Sequence, residues 1–438
     1  MSSKSLFIYM NGVLIGHLTR LAFEKLQFTY DSSWLAKEKA RPISLSLPLT
    51  ETPYRSDAVT YFFDNLLPDS EVIRKRIQIE FHVPTTRCFD LLSYIGHDCV
   101  GALQLLSSPL TEGEDIHKVK GKKLNDQDIA KLLSDYKTSP LGMNKSNDFR
   151  ISLAGTQEKT ALLWHKNAWY LPRGTTATSH IFKLPIGHIA HAGIDLHDSI
   201  ENEWLCLQLL SAFGLPVNYA RIMHFQDVKT LAVERFDRAW SKKPSWLMRL
   251  PQEDMCQALG KSSAFKYEAD GGSSIMDIMN VLRGADSAKE NRHQFMKSLF
   301  LFWILGAIDG HTKNFSIFIK EHGAYQLTPL YDVISAYPLT ARHQLEWQNL
   351  KMAMALHGKN KHYHWSTIQA RHWLDTAKLC QFPQQEMYKI AEQICDQLED
   401  AIDKVTAIFP NNFPTGMANA IFSGMRKARN KWLGPSHK

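Results

Sequence analysis

FWILGAIDGHTKNFSIFI at residues 302–319 and YQLTPLYDVISAYP at residues 325–338 decide how this chain is read. An apolar run from Leu299 to Ile308 leads out of a buried element into Asp309-Gly310-His311, and Asn314 stands five positions after Asp309. Phosphoryl transfer needs one carboxylate to orient and deprotonate the attacking hydroxyl. It also needs a nearby carboxamide and a second carboxylate to hold Mg²⁺ between the nucleotide phosphates. D-x-x-x-x-N supplies the first two groups. Asp, Gly and Asn also cap helices and turn chains in proteins of every kind, so this spacing gains weight only from its surroundings.

Phe315 to Ile319 reads as a strand, Lys320 to Gly323 as a polar turn, and Tyr325 to Leu327 as the returning strand. The return runs into Pro329-Leu330-Tyr331-Asp332. A hairpin folding back on itself brings Asp332 beside Asn314, where one metal ion touches both side chains. Catalytic-loop Asp, Asn five positions on, a hairpin and then a metal-binding Asp is the order of parts in protein kinases.

The 438 residues suffice for two or three domains with proper cores. An apolar fraction of 44% with 22% charged residues excludes disordered and fibrous classes. The net charge of +7 permits an acidic partner or nucleic acid without demanding either. Six cysteines are scattered without a C-x-x-C pair, so neither zinc nor a disulfide framework is expected, and they read as buried thiols of a cytoplasmic protein. The apolar stretch Leu6 to Met10 is too short for a signal peptide and the run at Leu299 too short to span a bilayer, so no membrane association is expected.

Leu6 to Met10, Asn11-Gly12 and Val13 to Leu18 spell a hairpin. Helices are expected from Ser56-Asp57 and from Asp69-Ser70, a strand at Val100 to Leu106, and an aperiodic loop from Ser107 to Asp128. Residues 148–171 read as a strand, a polar loop and a strand pair turning at Lys166-Asn167. Gly155 to Thr160 is not a Walker motif, because one glycine is missing and a strand follows. The remaining use is a loop lying over phosphates. Lys183 sits inside the apolar strand from His180 to Pro185, where a lysine either snorkels outward or meets an anion. The helix from Ser199 to Phe213 carries Glu201 and Glu203 in its first turn, and a kinase layout would pair Glu203 with the strand lysine. Leu231 to Arg238 is an apolar strand running into charge, about where a hinge offers its backbone to adenine. From Pro251 on, helices are expected apart from the hairpin at 315–327, the clearest being one continuous helix from Gln385 to Phe409. The basic stretch Met425 to Lys431 reads as a solvated helix end.

With these parts in order, the chain resembles HipA-type toxins, the serine/threonine kinases of bacterial HipBA toxin–antitoxin modules. The matches are ARPISLSLPL at Ala40, FFDNLLPDS at Phe62, NDFRISLAGTQEKTALL at Asn147, FKLPIG at Phe182, LAVERFDR at Leu231, RLPQEDMCQ at Arg249, DGHTKNFS at Asp309 and LTPLYDVISAYP at Leu327. The resemblance implies an α+β, bilobal protein-kinase-like fold. Its parts would be an N-terminal α/β subdomain with the hairpin (1–125), a nucleotide-binding N-lobe (126–250) and a mainly helical C-lobe with the catalytic loop (251–438). It implies ATP and Mg²⁺ as cofactors, Asp309 as catalytic base, and Asn314 and Asp332 as metal ligands. Lys183 would contact the phosphates, and Ala154, Gly155, Thr156, Gln157, Glu158 and Lys159 would form the phosphate loop. Glu234, Arg235 and Phe236 would form the adenine hinge, with His311, Thr312, Lys313 and Tyr331 around the nucleotide. Ser152 matches the serine on which family members phosphorylate and inactivate themselves. The implied substrate is an aminoacyl-tRNA synthetase, glutamyl-tRNA synthetase in the family, whose loss arrests growth. The implied partners are a HipB-like helix-turn-helix antitoxin dimer and, through it, operator DNA. A family DNA contact near RHWLDTAKLCQFP is represented by Arg371, His372 and Lys378, with Gln381 where a basic residue is expected. Two other readings stay open from the residues alone: an interaction protein acting mainly as co-repressor, and a small-molecule phosphotransferase.

Overall fold

The computed structural model describes residues 5–110, 116–135, 139–143, 150–155, 157–189, 193–242 and 246–434. The chain forms two compact units. One comprises Met1–Leu184, Met223–Ala264 and Ser316–Tyr325, the other Pro185–Ile222, Phe265–Phe315 and Gln326–Lys438.

The first unit opens with the expected hairpin. Asn11 and Gly12 take φ of 50° and 79°, the left-handed pair that a two-residue turn needs between right-twisted strands. They join Ser5–Met10 to Val13–Arg20 in an antiparallel sheet of order Leu26–Tyr30, Val13–Arg20, Ser5–Met10, Leu103–Leu106. The helices Asp57–Asp64 and Glu71–Phe81 start where the capping residues predict, the second with Ser70 Oγ accepting from the Ile73 N–H. A second sheet runs Ala220–Phe225, Val228–Glu234, His180–Lys183, Lys159–His165, Ala168–Pro172, Gly121–Leu124.

That last strand corrects the expected loop. Gly121–Leu124 is a sheet edge paired with Ala168–Pro172, and the helix Asp126–Ser134 follows behind an Asn125/Asp128 capping box. The lysines at 122 and 123 are exposed and only Leu124 is buried, so an edge strand shows no hydrophobic alternation to read. Residue 125 is also no break in packing. One continuous core includes Leu6, Phe28, Phe62 and Leu91 together with Ile151, Leu162, Phe182 and Ala232.

Inside this unit lies a cluster of charge with almost no solvent. The Asp98 carboxylate accepts from Arg238 Nη2 and Arg249 Nε, both at 2.8 Å, and from Thr178 Oγ1 at 2.7 Å. Asp237 binds Arg235 Nη2 and the Gly101 N–H, each at 2.7 Å. Burial alone would push the Asp98 carboxyl up, but the guanidiniums of Arg238, Arg249 and Arg235 outweigh it and hold the group far below the usual carboxylate range. Burial and the neighbouring Arg235 charge pull Arg238 down to about 10.

The second unit is mainly helical, with two corrections. Lys351–His357 and Lys361–His364 form a hairpin. Its first strand, KMAMALH, is made of good helix formers and is almost wholly buried, so periodicity cannot separate strand from helix. The expected long helix is two, Gln384–Asp396 and Leu398–Thr406, parted at Gln397. The apolar stripe still holds, because Met387, Ile390 and Ile394 are buried on one helix and Leu398, Ile402 and Val405 on the other. Phe300, Trp303, Trp373 and Trp432 make an aromatic centre with ring centroids 5.1 to 6.1 Å apart. In the terminal helix Thr415–Leu433, Arg426 and Arg429 pair with Glu399, and Lys431 Nζ donates to the Trp365 and Ser366 carbonyls. All six cysteines are buried free thiols. Among the described residues no helix is long and apolar enough to cross a membrane.

Removing the Asp98 charge leaves three buried guanidiniums facing one carboxylate, so Asp98→Asn is expected to cost roughly 3–5 kcal/mol in denaturant unfolding at pH 7. The folded pKa is depressed, so the stabilisation is present above the unfolded carboxyl value near ~4 and fades as pH falls below it. The gap between wild type and variant should therefore narrow in acid.

Candidate active site

In the second unit the helix Ala288–Leu305 delivers the chain to Asp309. It is buried along its last eleven residues and stops at Gly306, which takes φ 65°. Only a residue free to be left-handed ends a helix so sharply. The Ala307 N–H turns back to the Phe302 carbonyl at 2.8 Å. Asp309 emerges exposed, while His311, Thr312, Lys313 and Asn314 are buried.

The loop closes on itself. Asn314 Nδ2 donates to the Asp309 carbonyl at 2.6 Å, and the Asn314 N–H donates to the His311 carbonyl at 2.9 Å. Committing the amide nitrogen in this way leaves Oδ1 as the atom Asn314 can offer a cation. The Tyr331 hydroxyl donates to the Lys313 carbonyl at 2.8 Å, which ties the two predicted segments together just before Asp332. Asp332 is left-handed at φ 59°, a conformation Asp tolerates better than most residues and one found disproportionately at functional sites.

His311, 4% exposed, has its Nε2 3.8 Å from Asp309 Oδ1. Burial pushes its imidazole below the ordinary value, Asp309 and Asp332 pull the other way, and the balance stays low. Among the described residues its buried Nδ1 has no partner, and neither has Thr312 Oγ1. Orphaned buried polar atoms beside two carboxylates fit a polar ligand. Among the described residues no three His, Cys, Asp or Glu side chains form a cage for a metal. The Asn314 and Asp332 oxygens instead suit Mg²⁺, which takes one or two protein oxygens and completes its shell with phosphate and water.

Sequence reading missed the supports of this site. Ser335 Oγ donates to the Leu305 carbonyl and the Tyr337 hydroxyl to that of Ile304, so the segment after Asp332 caps the helix before Asp309. Ser335 is held in turn by Asn202, which exchanges two 2.8 Å hydrogen bonds with its backbone. The hydroxyl of Tyr267 donates to Asp309 Oδ1. No spacing rule points to any of these. In the helix Ser199–Ala212, Glu201 and Glu203 are both buried, more than first-turn charges require.

The first unit holds the other predicted group. In the strand pairing Lys159 stands opposite Lys183, which is 7% exposed. Two lysines side by side on one sheet face repel unless an anion lies near. Gly155 takes φ 102°, and a Cβ there would lie 2.6 Å from Lys159 Nζ, which donates to the Ala154 carbonyl. Thr156 lies outside the described residues. Gln157 Nε2 donates to the Leu184 carbonyl, and Glu158 pairs with Arg76. Ser152 is fully buried, its Oγ donating to the Leu66 carbonyl at 2.7 Å and its N–H to that of Asp98. At the hinge, the Arg235 N–H goes to Ser179 and its carbonyl accepts from Arg238, while its side chain joins the buried cluster. Arg235 is thus held by the core through its side chain and its backbone.

Two family models match this chain: the HipA N-terminal domain over residues 6–106 and the HipA-like C-terminal domain over 151–402, more than half the chain. The putative kinase Y4mE of Sinorhizobium fredii is 31% identical over 344 residues, covering 77% of this chain and 79% of the relative. The serine/threonine-protein kinase toxin HipA of Shewanella oneidensis is 27% identical over 344 residues, covering 76% and 75%. The solved complex of Shewanella oneidensis MR-1 HipA, HipB and operator DNA contains a chain matching with TM-score 0.82 over 98% of this chain and 97% of that one. At 22% identity that match shows a common fold.

Fold and relatives together define a protein kinase. The chain belongs to the HipA family of toxin kinases.

Replacing Gly155 by Ala is expected to cost about 1 kcal/mol, because its φ of 102° is a conformation L side chains rarely adopt. Hydrogen exchange should speed up selectively around residues 150–155.

Proposed function

We propose that the chain transfers the γ-phosphoryl group of Mg-ATP to a protein hydroxyl, as the toxin of a two-component module. The observation that supports this reading is a closed loop in a member of a kinase family: Asn314 bonds the Asp309 carbonyl, and Tyr331, next to Asp332, bonds the Lys313 carbonyl. In this mechanism Asp309 orients the acceptor hydroxyl and takes its proton. Asn314 and Asp332 would hold Mg²⁺, which would offset the charge of the transferring group. Lys183 and residues 154–159 would bind phosphate oxygens, and His311, Thr312, Lys313 and Tyr331 would contact the nucleotide. Glu234 and Phe236 flank adenine.

Ser152 is the proposed site of self-inactivation. Its hydroxyl is fully buried, so a phosphate of roughly −2 charge has no room or solvation there. Phosphorylation therefore requires the segment to leave, and the modified serine cannot return.

The proposed substrate is an aminoacyl-tRNA synthetase, with glutamyl-tRNA synthetase the specific expectation, and the setting is the cytoplasm. A helix-turn-helix antitoxin dimer would neutralise the toxin and carry it to operator DNA as co-repressor. On the helix Ala370–Leu379, Arg371 and Lys378 are exposed and seven positions apart, which supports a phosphate contact. His372 is buried and stacked 3.7 Å from His362, and so is unsuited to one. Gln381 offers its carbonyl to Arg292.

Asp309→Asn is expected to slow transfer by roughly 10²-fold to 10⁴-fold. After incubation with Mg-ATP, intact-mass spectrometry with peptide mapping should find one phosphate on Ser152 in the wild type and none in the variant. Equal labelling of both removes Asp309 from the mechanism. No labelling and no ATP binding in either favours the co-repressor reading, which requires Asp309→Asn to leave operator binding with the antitoxin intact.

A further inference from the structure

The Asp309 carboxylate is 51% exposed, on a loop that follows a buried helix. A side chain so placed samples several rotamers unless a fixed group holds it. Two groups approach it, and both meet Oδ1. The Tyr267 hydroxyl donates a hydrogen bond to that oxygen, and His311 Nε2 lies 3.8 Å from it. Oδ2 has no partner among the described residues of the protein.

Tyr267 is fixed from four directions. Before it, the Lys266 carbonyl accepts the Thr312 N–H at 3.2 Å, from the same loop that carries Asp309. After it, the buried Glu268 accepts the Ala355 N–H at 2.7 Å and pairs with Lys361 Nζ at 2.8 Å. Its own carbonyl accepts the N–H groups of Asp270 and Gly272 at 3.1 and 3.0 Å. Its ring stands edge-on to His311, centroids 5.0 Å apart at 86°. The hydroxyl is therefore a stationary donor rather than a surface group that happens to touch a carboxylate.

We infer that Tyr267 is a positioning residue for the catalytic base: its hydroxyl pins Oδ1 of Asp309 and thereby turns Oδ2 to the acceptor hydroxyl. The inference rests on the phosphotransfer reading above and adds a residue to it. A bond to a charged oxygen, in a geometry already assembled before substrate arrives, removes rotamers in which the base points away. The competing use of the same contact is occupation, with the tyrosine hydroxyl standing where the acceptor must come. The restraints on Lys266, Glu268 and the ring argue against it, since an occupant has to move aside.

The test is Tyr267→Phe in the full-length protein, which keeps the ring against His311 and deletes only the hydroxyl. With Mg-ATP, kcat should fall about tenfold while KM for ATP stays within about twofold, the pattern of an interaction made to the reacting arrangement and not to the nucleotide. In the Asp309→Asn background, measured over long incubations, the second substitution should change the residual rate no further, because a positioning residue has nothing left to position. Thermal unfolding of Tyr267→Phe matching the wild type separates this from a folding defect. An unchanged or raised kcat overturns the inference, as does an equal loss in both backgrounds. Wild-type protein that transfers no phosphate overturns the phosphotransfer reading itself, and is distinguished by failing before any variant is compared.

Discussion

A buried helix that ends inside a protein must find partners for its last carbonyls, and the way Ala288–Leu305 does so builds the site. Trp365 Nε1 takes the Trp303 carbonyl, the Tyr337 hydroxyl that of Ile304, and Ser335 Oγ that of Leu305. The Ala336 N–H takes Gly306. Three of these four donors belong to residues 335–337, immediately past Asp332. The same chain segment that satisfies the helix end is thereby bound to the element that presents Asp309. The segments carrying Asp309 and Asp332, 23 positions apart in sequence, are thus joined by a capping requirement.

That constraint explains which parts of the site could be read in advance. The order Asp309, Asn314, hairpin, Asp332 is local information: a spacing, a turn and a return. The opening hairpin, the helix starts at Ser56 and Ser70 and the turn at Lys166-Asn167 were legible for the same reason, because their causes lie within four residues of their effects. What the sequence hid has long reach. Tyr267 meets Asp309 across 42 positions, and Asp98 meets Arg238 and Arg249 across 140 and 151. An arginine in LAVERFDR reads as a solvated charge until a buried carboxylate from elsewhere is known to face it. The hairpin strand at Lys351 was hidden differently, since its methionines and alanines are apolar enough to be buried in either secondary structure.

The buried cluster is also where the two halves of the first unit meet. Asp98 comes from the segment matched by the N-terminal family model, and Arg235, Arg238 and Arg249 from that matched by the C-terminal one. A cluster of three arginines and two aspartates is expensive to desolvate and becomes tolerable only with every partner in place. It therefore acts as a strict condition on the register between the hinge strand and the N-terminal part. The FFDNLLPDS motif continues that contact toward residues 152–158, with Leu66 accepting from Ser152, the Asp69 N–H donating to the Gly155 carbonyl, and Arg76 pairing with Glu158 farther on.

These two contacts to the N-terminal part differ greatly in strength, and the difference decides what a phosphate on Ser152 can do. The Ser152 segment is held through its own residue by two neutral hydrogen bonds, to Leu66 and Asp98, each contributing about 1 kcal/mol net. Burying a phosphate dianion at a position with no solvent exposure costs several kcal/mol even after relaxation. If Ser152 is modified as proposed, the loop would leave while the core stays, because the Asp98 cluster would lose only one backbone acceptor contact and keep its ion pairs. Proximity to that cluster would let the loop be registered firmly by its neighbours yet, under the proposed modification, released without unfolding the unit that carries it.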